Sequence, residues 1–411
     1  MRVDRSGDRL ARSRSVAWVL VSTTHYHHAR MAAFAEAWRH PASIIQITDT
    51  DSVRALEARP ERLPYALHTL LPGVPCHEAL HRALGGLLSR ALDRVRPAVV
   101  CINGWSSGGA LEALRWSLRN GARVIVMSES TAIDEPRRWF KERVKRRVLA
   151  LCSAALVGGA PHVSYLESLG VPRNRIFDGY DVVDNEHFQA GAAAARREPS
   201  ATRARLGLPD RYFLAVSRFE GKKNLPRILQ AYAEYRRLAG GSAWDLALLG
   251  DGALRPALAQ LTSSLGLDGS VRMPGFASYA DLPAWYALSQ CFIHASTTEQ
   301  WGLVVNEAMA SGTPVLVSNR CGCCSDLVRE GRDGYSFDPF DAGALAGAML
   351  RCQREDGALG AMAAAGPSLI SEWGPSRFAL NLSAAAEAAL WSSPRRASLP
   401  EWALLAALVR A

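Results

Sequence analysis

With 411 residues, 48% of them apolar, and a formal net charge of +9, the chain is long enough for two domains that each bury a core. No apolar run approaches the roughly 20 residues that span a bilayer. The arginine-rich stretch 1–14 has no apolar core behind it, which argues against a signal peptide and makes the cytoplasm the expected address. The positive charge asks for an anionic partner, and without zinc-finger spacing or an RNP-type motif nucleic acid is not the expected one.

The polar leader 1–14 is expected to be disordered, with a first domain over 15–188. Residues 16–21 (VAWVLV) read as a buried strand, 22–30 as the loop after it and 31–39 as an amphipathic helix. A loop there lies at the carboxyl edge of an open α/β sheet, where ligands bind. Of His25, His27 and His28, the last is taken as a candidate acceptor contact. Residues 43–47 form the next strand. Asp49-Thr50-Asp51 behind it has the D-x-D form of a metal–diphosphate site, but it precedes a helical pattern and is read as a helix cap. Strands at 98–103 and 123–127 flank a helix at 109–118, and this alternation predicts a doubly wound parallel sheet. Asn103 and Glu129 fall at the same carboxyl edge and join His28 as acceptor-side candidates. Arg137 to Arg147 is a basic helical segment with Trp139, Phe140, Val144 and Val148 as its apolar residues; it suits either a solvated face or peripheral contact with an anionic membrane surface. Short strands at 156–158 and 175–177 close the domain.

The alanine- and arginine-rich stretch 189–210, with Pro199, breaks the alternation and is read as a linker. Alternation resumes over 211–374, with strands at 212–216, 245–249 and 271–273 and helices at 226–239, 253–265 and 282–288. The expected architecture is α/β, two Rossmann-like doubly wound domains facing a central cleft. Residues 375–411 form a helical tail expected to pack back on the body.

The chemistry gathers in 298–314 (TEQWGLVVNEAMASGTP). Apolar runs at 291–295 and 315–317 read as parallel strands, and the helix between them starts near Gly302 and stops at Gly312 and Pro314. Glu299 stands ahead of that helix and Glu307 inside it. A helix N-terminus favours phosphate, while carboxylates on either side accept hydroxyls, which suits a nucleotide sugar. The loop 217–224 (SRFEGKKN) after the first strand of this half offers Arg218 and Lys223, cations able to stabilise a departing diphosphate without a metal. Eight cysteines include the cluster Cys321, Cys323 and Cys324, which lacks a second ligand pair at zinc-like spacing; no metal site is expected.

In their order, S-R-F-x-x-K-K-N, then Leu248 to Gly252 (LLGDG), Pro274-Gly275-Phe276, E-x7-E from Glu299 to Glu307 and the G-R-D-G-Y run ending at Asp338-Pro339 resemble the retaining glycosyltransferases of family 4, which have the GT-B fold. The resemblance covers roughly 212–373. It implies transfer from a nucleotide-diphosphate sugar to a glycan, lipid-linked or small-molecule acceptor, with retention by front-face attack and with no cofactor or catalytic metal. Arg218 and Lys223 would then contact the diphosphate, Glu299 the transferred sugar and Glu307 the ribose. Backbone N–H groups of Trp301, Gly302, Leu303 and Val304 would surround phosphate and sugar, with Gly275 and Phe276 near the base. Relatives often carry a histidine or HD-like pair where this chain has Ser128-Glu129-Ser130. Other readings are a phosphorylase-like or sucrose-type enzyme of the same fold, or a non-catalytic sugar-nucleotide or glycan-binding protein.

Overall fold

The protein is described by a computed structural model over residues 14–50, 62–79 and 84–410. The leader before Arg14 and the helical pattern from Asp51 on lie outside the described residues. The chain divides into two compact units, one holding the residues through Val182 together with those from Pro375 on, the other Val183–Gly374.

In the first unit β1 (Val16–Leu20), β2 (Ala42–Thr50), β3 (Ala66–Pro75), β4 (Val99–Asn103), β5 (Arg123–Ser128), β6 (Ala154–Val157) and β7 (Ile176–Phe177) form a parallel sheet in the order β3-β2-β1-β4-β5-β6-β7. A parallel strand covered on both faces reads as a continuous apolar run, and all of β1 is buried. The edge strand β3 carries Pro72 and Pro75 and is half exposed; an edge tolerates proline, and the run shows neither strict alternation nor full apolarity.

The longer helices that alternate with these strands are α1 (His25–Trp38), α2 (Gly85–Val95), α3 (Gly108–Asn120), α4 (Trp139–Ala150) and α5 (Ala160–Ser168). The loop expected over 22–30 ends at Thr24, so all three histidines lie on α1. The cause is local: His27 sits at the third helical position and its Nδ1 accepts the Thr24 amide at 3.1 Å, which caps the helix six residues earlier than the apolar pattern suggests. Asp49 is not a helix cap either. It lies in β2, one residue before its end, and its carboxylate accepts the amide of Gly73 on β3 at 2.8 Å.

The second unit opens with α6 (Asn185–Arg197) and α7 (Pro199–Leu206), where a linker was expected. Alanine is the best helix former, and here it also packs: Ala192 and Ala195 are buried, while Arg196 donates to the carbonyls of Ser311 and Gly312 at 2.7 and 2.9 Å. Six parallel strands follow, β8 (Tyr212–Val216), β9 (Asp245–Leu249), β10 (Val271–Gly275), β11 (Cys291–His294), β12 (Val315–Ser318) and β13 (Gly334–Phe337), ordered β10-β9-β8-β11-β12-β13. They alternate with α8 (Leu225–Ala239), α9 (Arg255–Ser264), α10 (Leu282–Ala287), α11 (Leu303–Ala310), α12 (Ala342–Arg354) and α13 (Asp356–Ile370).

The chain then returns to the first unit. On α14 (Pro375–Trp391) Phe378, Leu382 and Ala386 are buried, and the Phe378 ring stacks on Trp18 of β1 at 5.6 Å. From α15 (Leu399–Arg410) Leu405 enters the first-unit core. Among the described residues no helix is long and apolar enough to cross a membrane.

Each sheet has a point where strand order reverses, between β1 and β4 in the first unit and between β8 and β11 in the second. Connections leaving two such neighbours run to opposite sides and open a crevice at their carboxyl ends.

Candidate active site

In the second unit both loops at the reversal carry charge. The loop after β8 is pinned by Phe219, which is fully buried and whose amide bonds to Asp251 O at 2.8 Å. Gly250 lies under this loop at φ +131°, and a Cβ there would sit 1.9 Å from Ser217 O, so no side chain is admitted. Asn224 ends the loop in the left-handed region, φ 59°. Its side-chain amide donates to Ala295 O at 3.2 Å, on the loop after β11, and to Pro339 O at 2.8 Å. That clamp ties the two loops together.

Lys223 and Glu299 consequently meet in a salt bridge between Nζ and Oε2. The same oxygen accepts Ser296 Oγ at 3.1 Å and lies 3.3 Å from His294 Nε2. Burial by itself would raise the Glu299 pKa, but the His294 hydrogen bond and the Lys223 charge outweigh it and hold the carboxyl far below the usual range. Burial lowers His294, and the Glu299 hydrogen bond only partly opposes it. Arg218, the other expected cation, is 51% exposed and pairs with Glu220 at 2.9 Å.

Beyond Glu299 the chain turns into α11 through Gly302, at φ +107°, where a Cβ would stand 3.4 Å from His294 Nε2 and 3.5 Å from Cys323 Sγ. Trp301 is buried, with Nε1 donating to Asn306 at 2.9 Å and its ring 5.1 Å from that of Trp373. Leu303 and Val304 are half-buried. Glu307 is only 1% exposed and accepts the Tyr286 hydroxyl at 2.7 Å. Gly275 ends β10, its carbonyl accepting the Gly250 amide at 2.8 Å, and Phe276 beyond it is exposed. The cysteine cluster backs the Glu299 loop: Gly322 N donates to Glu299 O at 3.0 Å and Cys323 N to Trp301 O at 3.2 Å. Burial keeps the Cys321 and Cys323 thiols protonated. Among the described residues no group of three or more His, Cys, Asp or Glu is placed to hold a metal.

In the first unit His28 is buried on α1, its Nδ1 2.5 Å from the Tyr65 hydroxyl. Asn103 is exposed at the end of β4 and accepts the Tyr180 hydroxyl at 2.9 Å. Glu129 lies just past β5 and its charge acts on Asp181, which is fully buried 3.7 Å from the buried Arg30. Burial, followed by the Glu129 charge, pushes the Asp181 carboxyl well above its usual range against the pull of Arg30. Of the acidic residues at 178–184, Asp184 caps α6 and Asp178 binds Arg377 at 2.9 Å. The sequence signal for His294 was one polar residue inside an otherwise apolar strand, and the reading of 291–295 for burial alone passed over it.

The arrangement of sheets is shared with solved proteins. The Anabaena protein Alr3699/HepE, solved with UDP, matches over 90% of this chain and 98% of its own at a TM-score of 0.70 and 17% identity. Sucrose-phosphate synthase from Thermosynechococcus elongatus matches over 90% and 97%, at a TM-score of 0.70 and 20% identity. The fold is GT-B. Within it, residues 200–366 match the family model described as glycosyl transferases group 1, a span that contains both charged loops and α11.

Two curated relatives of this GT-B chain are the mannosylfructose-phosphate synthase of Agrobacterium fabrum, 27% identical over 224 residues, and the alpha-D-kanosaminyltransferase of Streptomyces kanamyceticus, 30% identical over 168. The matched segments are 52% and 41% of this chain, and they cover 48% and 42% of those relatives, so the chain spans less than half the length of each.

Proposed function

We propose that this chain is a retaining glycosyltransferase of family 4 that moves a sugar from a nucleotide-diphosphate sugar to a hydroxyl acceptor, in glycoconjugate or polysaccharide synthesis, with neither metal nor cofactor. The observation that carries the reading is the Lys223–Glu299 pair at the head of α11, on the two loops that diverge from β8 and β11. A helix N-terminus, a lysine and an adjacent arginine suit a diphosphate whose charge grows as the sugar leaves. Glu299, ionised and fixed, suits hydroxyls of the transferred sugar. Arg218 is exposed and free to turn from Glu220 toward phosphate, and Glu307 is assigned the ribose. Asn103 and Glu129 are assigned to the acceptor.

The exposed rings of Trp139 and Phe140 on α4, with Arg138, Lys141 and Arg143 also exposed, suit docking on an anionic membrane surface. Arg137 and Lys145 are not part of that face, being tied to Asp134, Glu142 and Tyr165. A second reading, transfer to a small sugar phosphate, is favoured by the name of the Agrobacterium relative.

A thermal-shift panel of UDP-glucose, UDP-N-acetylglucosamine, GDP-mannose, ADP-glucose and dTDP-glucose tests the donor assignment, since a bound ligand raises apparent stability by mass action. Calorimetry with the selected nucleoside diphosphate follows, and Glu307→Ala is expected to abolish binding. Unchanged affinity in that variant removes the donor site proposed here. Label from the bound donor recovered in hexose phosphate instead of in lipid or polymer would favour the second reading.

A further inference from the structure

We propose that His294 takes up a proton when the nucleotide sugar binds, replacing Lys223 as the cationic partner of Glu299. The inference rests on the donor site proposed above and adds a residue to it.

Lys223 faces two demands for one positive charge. In the structure its ammonium is on Glu299 Oε2, inside a pocket where the two side chains are 14% and 12% exposed. A diphosphate at the head of α11 brings negative charge to the same loop, and a single ammonium on a flexible stem will swing toward it. Glu299 is then left buried without its cation, an arrangement that is costly unless another group supplies the charge.

The neighbours narrow the choice to one. The charged and titratable groups facing His294 are Glu299, Lys223 and Lys222, with Cys323 against the same Gly302 backbone and Cys321 beside Glu299. Lys222 is exposed. The two thiols are already protonated by burial and carry no charge to give. Ser296 offers only a neutral hydroxyl. His294 lies 3.3 Å from the carboxylate oxygen through Nε2, is 3% exposed, and is held neutral by burial and by the nearby Lys223 charge. Departure of Lys223 removes the repulsion and uncovers the carboxylate, and both changes favour the imidazolium. The step is an addition of one proton from solvent to the neutral ring; no covalent bond of the donor is involved. Because the bound state holds the extra proton, donor affinity falls as pH rises through the window between the two His294 pKa values, by about tenfold per pH unit at most.

The experiment is calorimetry of the full chain with UDP-glucose, or with whichever panel member binds, at one pH in phosphate and in Tris. These sugar nucleotides carry a diphosphate diester with no group of the diphosphate titrating near neutrality, so the difference in apparent heat between the buffers counts protons taken up by protein. Net uptake of most of one proton is expected in the wild type and none in His294→Gln. Should that variant not fold, the ring Cε1–H resonance of His294 in the wild type reads the same event, moving toward the imidazolium position on donor addition. Binding with no proton uptake, uptake that persists in His294→Gln, or an unmoved resonance each overturns the proposal while leaving the donor site standing. Failure of every nucleotide sugar to bind overturns the donor site and the proposal together.

Discussion

At the carboxyl edge of each sheet a buried carboxylate meets a basic side chain, and the two carboxylates are held in opposite states. In the second unit Glu299 has a lysine, a serine and a histidine around one oxygen and stays ionised far into acid. In the first unit Asp181 faces both Arg30 and a second carboxylate, Glu129, and burial drives it toward the protonated form. Burial and the neighbouring Glu129 charge outweigh the pull of the one guanidinium, so Asp181 keeps its proton. The two units share a fold and a position for their crevices. What differs is the number of acids set against each cation, and that decides whether a crevice carries a charge pair that an anion can divide or a proton that a hydroxyl can meet.

The largest expected effect is on stability, in the first unit. Arg30→Ala removes a buried side chain that donates to Val182 O at 3.1 Å and lies 4.8 Å over the Tyr180 ring, and should lower the unfolding free energy by about 3–5 kcal/mol in urea titration, while Asp181→Asn, which replaces an acid that is already neutral, should cost far less. Equal losses would mean that Asp181 is ionised, and the contrast between the units would fail. Next comes Lys223→Ala, expected to reduce the transfer rate about a hundredfold, roughly 3 kcal/mol in the barrier, with a smaller effect on unfolding. A loss of stability that matches the loss of rate would make the pair structural.

The two carboxylates should also respond oppositely to pH. Asp181 keeps its proton above the ordinary value of 3.8 in the folded state, so the native chain binds more protons than the unfolded one there and stability falls as pH rises through that window. Urea titrations should therefore show Asp181→Asn gaining on the wild type as pH rises. Glu299 is depressed, so its contribution is complete above the ordinary 4.5 and is lost as pH falls toward its folded pKa. The deficit of Glu299→Gln should shrink toward acid, and parallel trends in the two variants would erase the distinction. The smallest effect expected is surface partitioning: replacing Trp139 and Phe140 together by alanine should weaken binding to anionic vesicles about tenfold and leave nucleotide binding alone.

Sequence patterns reached the second crevice further than the first because its parts are close in the chain or sit beside glycines. Glu299, Gly302 and Glu307 are read from one helix start, and the Lys223 loop follows an unbroken apolar strand. In the first unit the partners come from α1, the loop after β5 and the segment beyond β7, and spacing gives no sign that Arg30, Glu129 and Asp181 will meet. Arg30 was further hidden by the unexpected start of α1, which depends on a histidine acting as a cap. The strand β3 escaped notice because its edge position permits prolines and half-exposure, and α6 because an alanine–arginine run has the composition of a linker and the packing of a helix.

The first unit draws on both sides of an intervening run of 192 residues, Val183–Gly374. During synthesis Phe378, which covers Trp18, is added only after every residue of the second unit, so the later of the two sequence blocks is the first whose residues have all been made. Until α14 arrives, one face of the first sheet must wait with a tryptophan uncovered, and that interval is when the nascent chain is most exposed to aggregation.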